Sequence, residues 1–244
     1  MRDRMRVRLY TTTMRGAAVL DELLDIPCYN LVVDVVTANP SPIEPNYMPA
    51  LSAECVFMGF QLVLVDDAQS LRNLPDPDLI LCTNWRTKLS QDELRSARLG
   101  ALVIHDSLLP KYRGFSPLVH AILNGDLVTG ATMFVPTEEI DAGPVVGQVE
   151  VDIAGVSIRD AMARMTSAYQ ALVRKYVRLM LSGDAVAATP QVGTPTVAHR
   201  IDWENAPEVD PSWPDERIDR HCRAFSPPYP RAFMRAGSRK VYLA

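Results

Sequence analysis

Cysteine is scarce in this chain and never paired: Cys28, Cys55, Cys82 and Cys222 stand far apart among 244 residues. With no CxxC motif there is neither a disulfide framework nor the ligand spacing of a structural zinc, so the thiols read as reduced residues and no metal is expected. Positive charge is not in excess either. Lys and Arg number 25 against 29 Asp and Glu, a formal net charge of −4 with a pI near 5.6. That balance removes the general cationic field that gathers phosphate backbones, so nucleic acid is not an expected partner. No apolar run approaches the ~18 residues of a membrane span, and the charged start leads into a strand-length apolar run rather than a secretory core. No membrane association is expected, and the cytoplasm is the default location. Internal repeats and low-complexity tracts are also missing.

What is present is an alternation of strand and helix signals. Val7 to Thr11 reads as a strand, Gly16 to Leu24 as a helix and Leu31 to Thr37 as a second, β-branched strand. Residues 38–49 carry Pro40, Pro42, Pro45 and Pro49 and read as a loop. A helix over Ala50 to Met58, a strand over Gln61 to Val65, a turn at Pro75-Asp76-Pro77 and a strand over Leu79 to Cys82 follow. The unbroken apolar runs Leu79 to Cys82 and Ala101 to Ile104 predict strands buried on both faces. The fold class is therefore α/β, a mostly parallel sheet with helices on both faces. From Gly130 the rhythm changes to a hairpin, Gly130 to Val135 against Val145 to Ile153. Ile158, Ala161, Met165, Tyr169 and Leu172 then recur at helical spacing behind a Ser157/Asp160 cap, and this helix stops near Gly183. Residues 1–184 thus form the main domain. Residues 185–244 form a proline-rich linker and a small C-terminal extension with a short helix near Asp215 to Ala224.

The densest polar signal follows the buried strand at 102–104: His105-Asp106-Ser107-Leu108-Leu109-Pro110-Lys111-Tyr112-Arg113-Gly114. Ligands of open α/β sheets sit at the carboxyl ends of strands, so a histidine there is a catalytic candidate. The plain alternative is a histidine that merely ends a strand. Downstream, the acidic turn Thr137 to Pro144 brings Asp141, and a nearby aspartate orients an imidazole and favours its charged form. By itself that turn reads as solvated surface.

In order and spacing these segments, with Asn124-Gly125, Thr129-Gly130-Ala131-Thr132 and Ile140-Asp141-Ala142-Gly143-Pro144, resemble the folate-dependent formyltransferase family over about residues 77–153. His199-Arg200-Ile201-Asp202-Trp203 and Pro228-Tyr229-Pro230-Arg231-Ala232-Phe233 resemble the segment that follows the catalytic domain in the methionyl-tRNA and sugar enzymes of that family. The resemblance implies a Rossmann-like domain that binds 10-formyltetrahydrofolate and lets an amine attack its formyl carbon. His105 and Asp141 match the catalytic pair. Asn84, Trp85, Arg86, Thr87 and Leu89, with Thr137, Glu138, Glu139, Ile140 and Gly143, are expected around the pterin. Asp106, Ser107, Tyr112, Arg113 and Gly114 are expected on the acceptor side.

One position departs from the pattern. The family's asparagine, two residues before the histidine, is here Val103, which has no side-chain donor. Either Asn84 or Asp106 replaces it, or the transferred group or donor has changed, or the site binds without catalysis. A working transferase is favoured, because His105 and Asp141 are kept together. The stretch after Phe233 is too short for the basic domain with which the methionyl-tRNA enzymes hold tRNA, so a small-molecule amine, a nucleotide-linked amino sugar above all, is the expected acceptor. The cations Arg217, Arg220, Arg223, Arg231, Arg235, Arg239 and Lys240 read as a solvated face, as a phosphate site or as a homodimer contact through the C-terminal region.

Overall fold

The computed structural model describes residues 4–26, 30–43, 45–65, 71 and 74–243; Cys28 lies outside the described residues. Its framework is a seven-stranded sheet in the order β3-β2-β1-β4-β5-β7-β8. The strands β1 (Arg4–Thr11), β2 (Asn30–Ala38), β3 (Gln61–Val65), β4 (Leu79–Thr83) and β5 (Ala101–His105) run parallel. β7 (Val128–Phe134) and β8 (Val145–Asp152) add an antiparallel hairpin beside β5. The short β6 (Arg113–Gly114) pairs with β9 (Val197–Ala198) outside this sheet. β10 (Phe233–Ala236) and β11 (Arg239–Tyr242) close a terminal hairpin.

β1 begins at Arg4, earlier than its apolar residues suggest, because its arginines have partners inside the fold. Arg6 donates to Asp34 of β2 at 2.6 Å, and the buried Arg8 reaches the carbonyl of Pro75 at 2.7 Å. Helix α1 (Met14–Leu24) follows β1 closely, and α2 (Met48–Met58) carries Pro49 in its first turn, where a missing N–H costs nothing. The short α3 (Gln91–Ser96) opens on a capping box, Ser90 accepting from the Glu93 amide while Glu93 accepts from the Ser90 amide.

One face of the sheet carries the main core. Val7 and Leu9 of β1, Val33 and Val35 of β2 and Leu102 and Ile104 of β5 pack there against α1, α4 (Pro117–Asn124) and α5 (Ile158–Leu172). The opposite face holds a smaller cluster of Tyr10, Val36, Ile80, Cys82, Leu89 and Ala97. The two sets alternate along each strand, as the pleat requires. α5 begins at the Ser157 cap, passes through a π-helical turn at Val173–Val177 and ends in α6 (Arg178–Leu181). Residues after 184 share the main core through Ala198, Val209 and, from α7 (Asp215–Ala224), Ala224 together with Phe225. Among the described residues no helix is long and apolar enough to cross a membrane, and no group of His, Cys, Asp or Glu is arranged to hold a metal ion.

Candidate active site

A cleft of about 480 Å³ opens at the carboxyl ends of β1, β4 and β5, the size range of a small-molecule site. His105 is the last residue of β5 and is 9% exposed. Its Nε2 lies 2.7 Å from the carbonyl of Tyr112, which only accepts, so that nitrogen carries a proton. Nδ1 lies 3.6 Å from Asp141 Oδ2, too far for a hydrogen bond but close enough for an ion pair once the ring is charged. Asp141 Oδ2 accepts from the amide of Gly114 at 2.8 Å, so the carboxylate is held from the loop after β5.

The loop after β5 is folded back on the hairpin. Thr132 of β7 donates to the carbonyl of Ser107 at 2.6 Å and accepts from the amide of Leu109 at 3.0 Å. Gln148 of β8 donates to the carbonyl of Leu109 at 2.9 Å. Gly143 makes the turn after Asp141 possible: a Cβ there would stand 1.7 Å from the carbonyl oxygen of Val135. Among the described residues, four that are not glycine adopt left-handed backbone, Asn84, Tyr112, Ser116 and Asp141. Three of them line the cleft, and Tyr112 supplies the carbonyl that anchors His105. Such conformations cost roughly 1–3 kcal/mol each and persist where surrounding contacts hold them.

One side of the cleft is a polar cluster. Asp106 accepts from the Tyr169 hydroxyl at 2.5 Å through one oxygen and from Arg15 at 3.1 Å through the other, with the Asn84 amide nitrogen at 3.4 Å. Asn84 in turn accepts from Arg15 Nε at 3.0 Å and from Thr13 at 3.2 Å. Burial, followed by the charge of Asp106, pushes the Tyr169 hydroxyl well above its ordinary pKa, so it stays a donor. Asp106 is therefore surrounded by donors and has none to give, and the Asn84 amide is drawn toward it. The other side is apolar: Val103, Cys82, Leu89, Leu94 and Trp85. Burial raises the Cys82 thiol far above the ordinary range, which keeps it neutral.

The sequence-predicted residues fall into two groups. Asn84, Trp85, Arg86, Thr87 and Leu89 face the cleft together, as do Thr137, Glu139, Ile140 and Asp141 across from them. Asp106 and Gly114 join them from the loop after β5. The rest sit behind the lining. Ser107 is fully buried and donates to the carbonyl of Lys111 at 2.5 Å. The Tyr112 ring turns into the core, where its hydroxyl meets Asp126 at 2.9 Å. Arg113 spans from Gln191 to Glu139, Glu138 offers its carbonyl to Lys88, and Gly143 is the turn residue. Sequence reasoning missed Thr13, the residue before α1, which bonds Asn84, and Arg15 and Tyr169, which reach Asp106 from α1 and α5. It also missed an aromatic wall from the C-terminal extension, with Arg200 over the Phe115 ring at 3.7 Å and Trp203 against Tyr229 at 4.5 Å. The stretch His199 to Trp203 carried that signal.

Comparison with known proteins bears on the family and the fold. The formyl transferase family model matches residues 61–176. A methionyl-tRNA formyltransferase of Novosphingobium aromaticivorans is 33% identical over 178 residues, 73% of this chain; the match spans 58% of that protein's length. The fold recurs in a sugar N-formyltransferase from Shewanella sp. FDAARGOS_354, with a TM-score of 0.78 at 17% identity, covering 98% of this chain and 96% of that one. It recurs also in HypX from Aquifex aeolicus, solved in complex with tetrahydrofolic acid, with a TM-score of 0.70 at 19% identity over 99% of this chain and 37% of that one. This chain belongs to the formyltransferase family.

Proposed function

We propose that the protein is an N-formyltransferase that moves a formyl group from 10-formyltetrahydrofolate to a primary amine of a small molecule, an amino sugar carried on a nucleotide or a similar metabolite. The observation that carries this reading is the His105–Asp141 pair, an imidazole anchored through Nε2 with Nδ1 turned toward a carboxylate at the cleft. The donor supplies the activated formyl group; the protein supplies position and charge. Val103, Leu89, Leu94 and Trp85 form a flat apolar side that suits a heterocycle, and the tetrahydrofolic acid bound to HypX supports a reduced folate as its occupant. As the amine adds, His105 Nδ1–H donates to the formyl oxygen that gains charge, and Asp141 offsets the positive ring. The ring keeps its orientation because Nε2 stays on Tyr112.

On the acceptor side, the Trp203 and Tyr229 rings offer a platform for a planar base, and Arg200 a partner for phosphate. A neighbouring hollow of about 220 Å³ shares Thr13, Arg15 and Tyr229 with the cleft and gives the rest of the acceptor room. A second reading, transfer to methionyl-tRNA, is favoured by the 33% identity to an enzyme of that name. One assay separates them: tetrahydrofolate release with amino-sugar nucleotides, free amines and charged tRNA as acceptors. The expected result is turnover with a nucleotide-linked sugar. Calorimetric titration with 5-formyltetrahydrofolate is expected to saturate, and no heat at millimolar ligand overturns the folate donor.

A further inference from the structure

The two residues that hold His105, Tyr112 and Asp141, are themselves held from outside the sheet, through other atoms, by one segment of the C-terminal extension. Residues 189–198 run behind both catalytic loops. Thr189 exchanges two backbone hydrogen bonds with Val145, at 2.7 and 2.8 Å, which pins the segment to the start of β8. Two residues on, Gln191 donates to the carbonyls of Asp141 and Gly143, at 2.8 and 2.9 Å. Its side-chain oxygen accepts from Arg113 Nη2 at 2.8 Å and Nε at 3.1 Å, and Arg113 Nη1 reaches Glu139 at 2.9 Å. The loop that carries Asp141 is thus gripped on both flanks.

Farther along, Thr196 grips the other loop. Its hydroxyl accepts from the amide of Tyr112 at 2.8 Å, and its carbonyl accepts from the amide of Arg113, also at 2.8 Å. Ala198 then accepts from Phe115, and the backbone of Gly114 approaches so closely that a Cβ there would lie 2.6 Å from the Ala198 oxygen. Tyr112 and Asp141 are both non-glycine residues in left-handed backbone, and they supply the carbonyl on His105 Nε2 and the carboxylate facing Nδ1. Each strained residue is held by a different side chain of the same segment.

The geometry points to residues 189–198 as a positioning strap for the reaction, with Gln191 acting through Asp141 and Thr196 acting through Tyr112. Neither strap residue lines the cleft or touches a reacting atom. The strap fixes the orientation of His105 because a misplacement of about 1 Å at a reacting group costs on the order of 10²-fold in rate. This inference rests on the formyl-transfer reading for its kinetic test and stands apart from it in its structural one.

The variants are Gln191→Ala and Thr196→Val, with Thr196→Ser as the conservative control. Each is expected to lower kcat roughly 10- to 100-fold with little change in the KM for the folate donor, and Thr196→Ser to restore most of the rate. Added to Asp141→Asn, Gln191→Ala is expected to cost nothing further, because the two act as one unit. Additive losses, or an unchanged kcat with normal folding, overturn the proposal. The activity-independent readout is hydrogen exchange at the Gly114 amide, which bonds Asp141 and makes no bond to Gln191. About tenfold faster exchange in Gln191→Ala supports the strap and unchanged exchange overturns it, even if the wild type transfers no formyl group and the proposed function falls.

Discussion

The two sides of the cleft are built on opposite rules. On one side Arg15, Asp106, Asn84 and Tyr169 spend their hydrogen bonds on one another. On the other, Val103, Cys82, Leu89 and Trp85 present surface without direction. A closed polar set is rigid and specific, because each buried group that lost its partner would keep its desolvation cost. An apolar wall accepts a flat ligand and leaves its orientation to the rim. His105 stands at the seam, two residues beyond Val103 on the same face of β5, so the apolar side extends to the pleat next to the histidine.

The largest effect is expected where the two sides meet. His105→Ala should lower formyl transfer by roughly 10²- to 10⁴-fold, the usual span for a positioned proton donor, and the double variant with Asp141→Ala should lose about the same amount. Rates followed as tetrahydrofolate release would show it; additive losses would mean that Asp141 serves something other than the imidazole.

Making the apolar side polar is the next test. Val103→Asn places an amide two residues before His105, and turnover should rise by up to about 10²-fold, since the Asn84 amide is occupied by the Asp106 cluster. The melting temperature should fall at the same time, because part of that amide goes unpaired among Leu89, Leu94 and Trp85. Level or lower turnover would assign the oxyanion donor to the polar side instead, with Asn84→Ala as its direct probe.

The smallest change trims the polar side. Tyr169→Phe keeps the ring and removes the donor to Asp106, so urea denaturation should show a loss of about 1.5–3 kcal/mol, the range for a hydrogen bond to a charged group. Activity should fall less than tenfold, because Arg15 still holds the other oxygen. A stability change below ~0.5 kcal/mol would mean that the cluster is redundant and that its closed geometry is not what keeps this side rigid.

Much of this arrangement was legible in the chain itself. The apolar runs at 79–82 and 101–104 identify the central strands, because a strand buried on both faces has no polar alternation to hide it. The end of the second run then points to His105, and the Ser157 cap marks the start of α5. Less visible was β1, whose alternating arginines look like solvated residues until Asp34 and the Pro75 carbonyl are placed beside them. Equally hidden was the placement of the residues after 184, which read as a linker and small extension and turn out to carry an aromatic wall and the segment bonded to Tyr112 and Asp141.

What the sequence determined by itself, then, is the order of strands and helices and the identity of the residues at the ends of β4 and β5, since hydrophobic period and turn chemistry are local properties of the chain. Only the tertiary structure decided which polar groups meet. Arg15 and Tyr169 reach Asp106 from opposite ends of the main domain, and Gln191 reaches Asp141 from beyond it. A hydrogen bond depends on distance and angle between groups far apart in the chain, and those are set when the sheet and α5 pack, not by the residues that flank either partner.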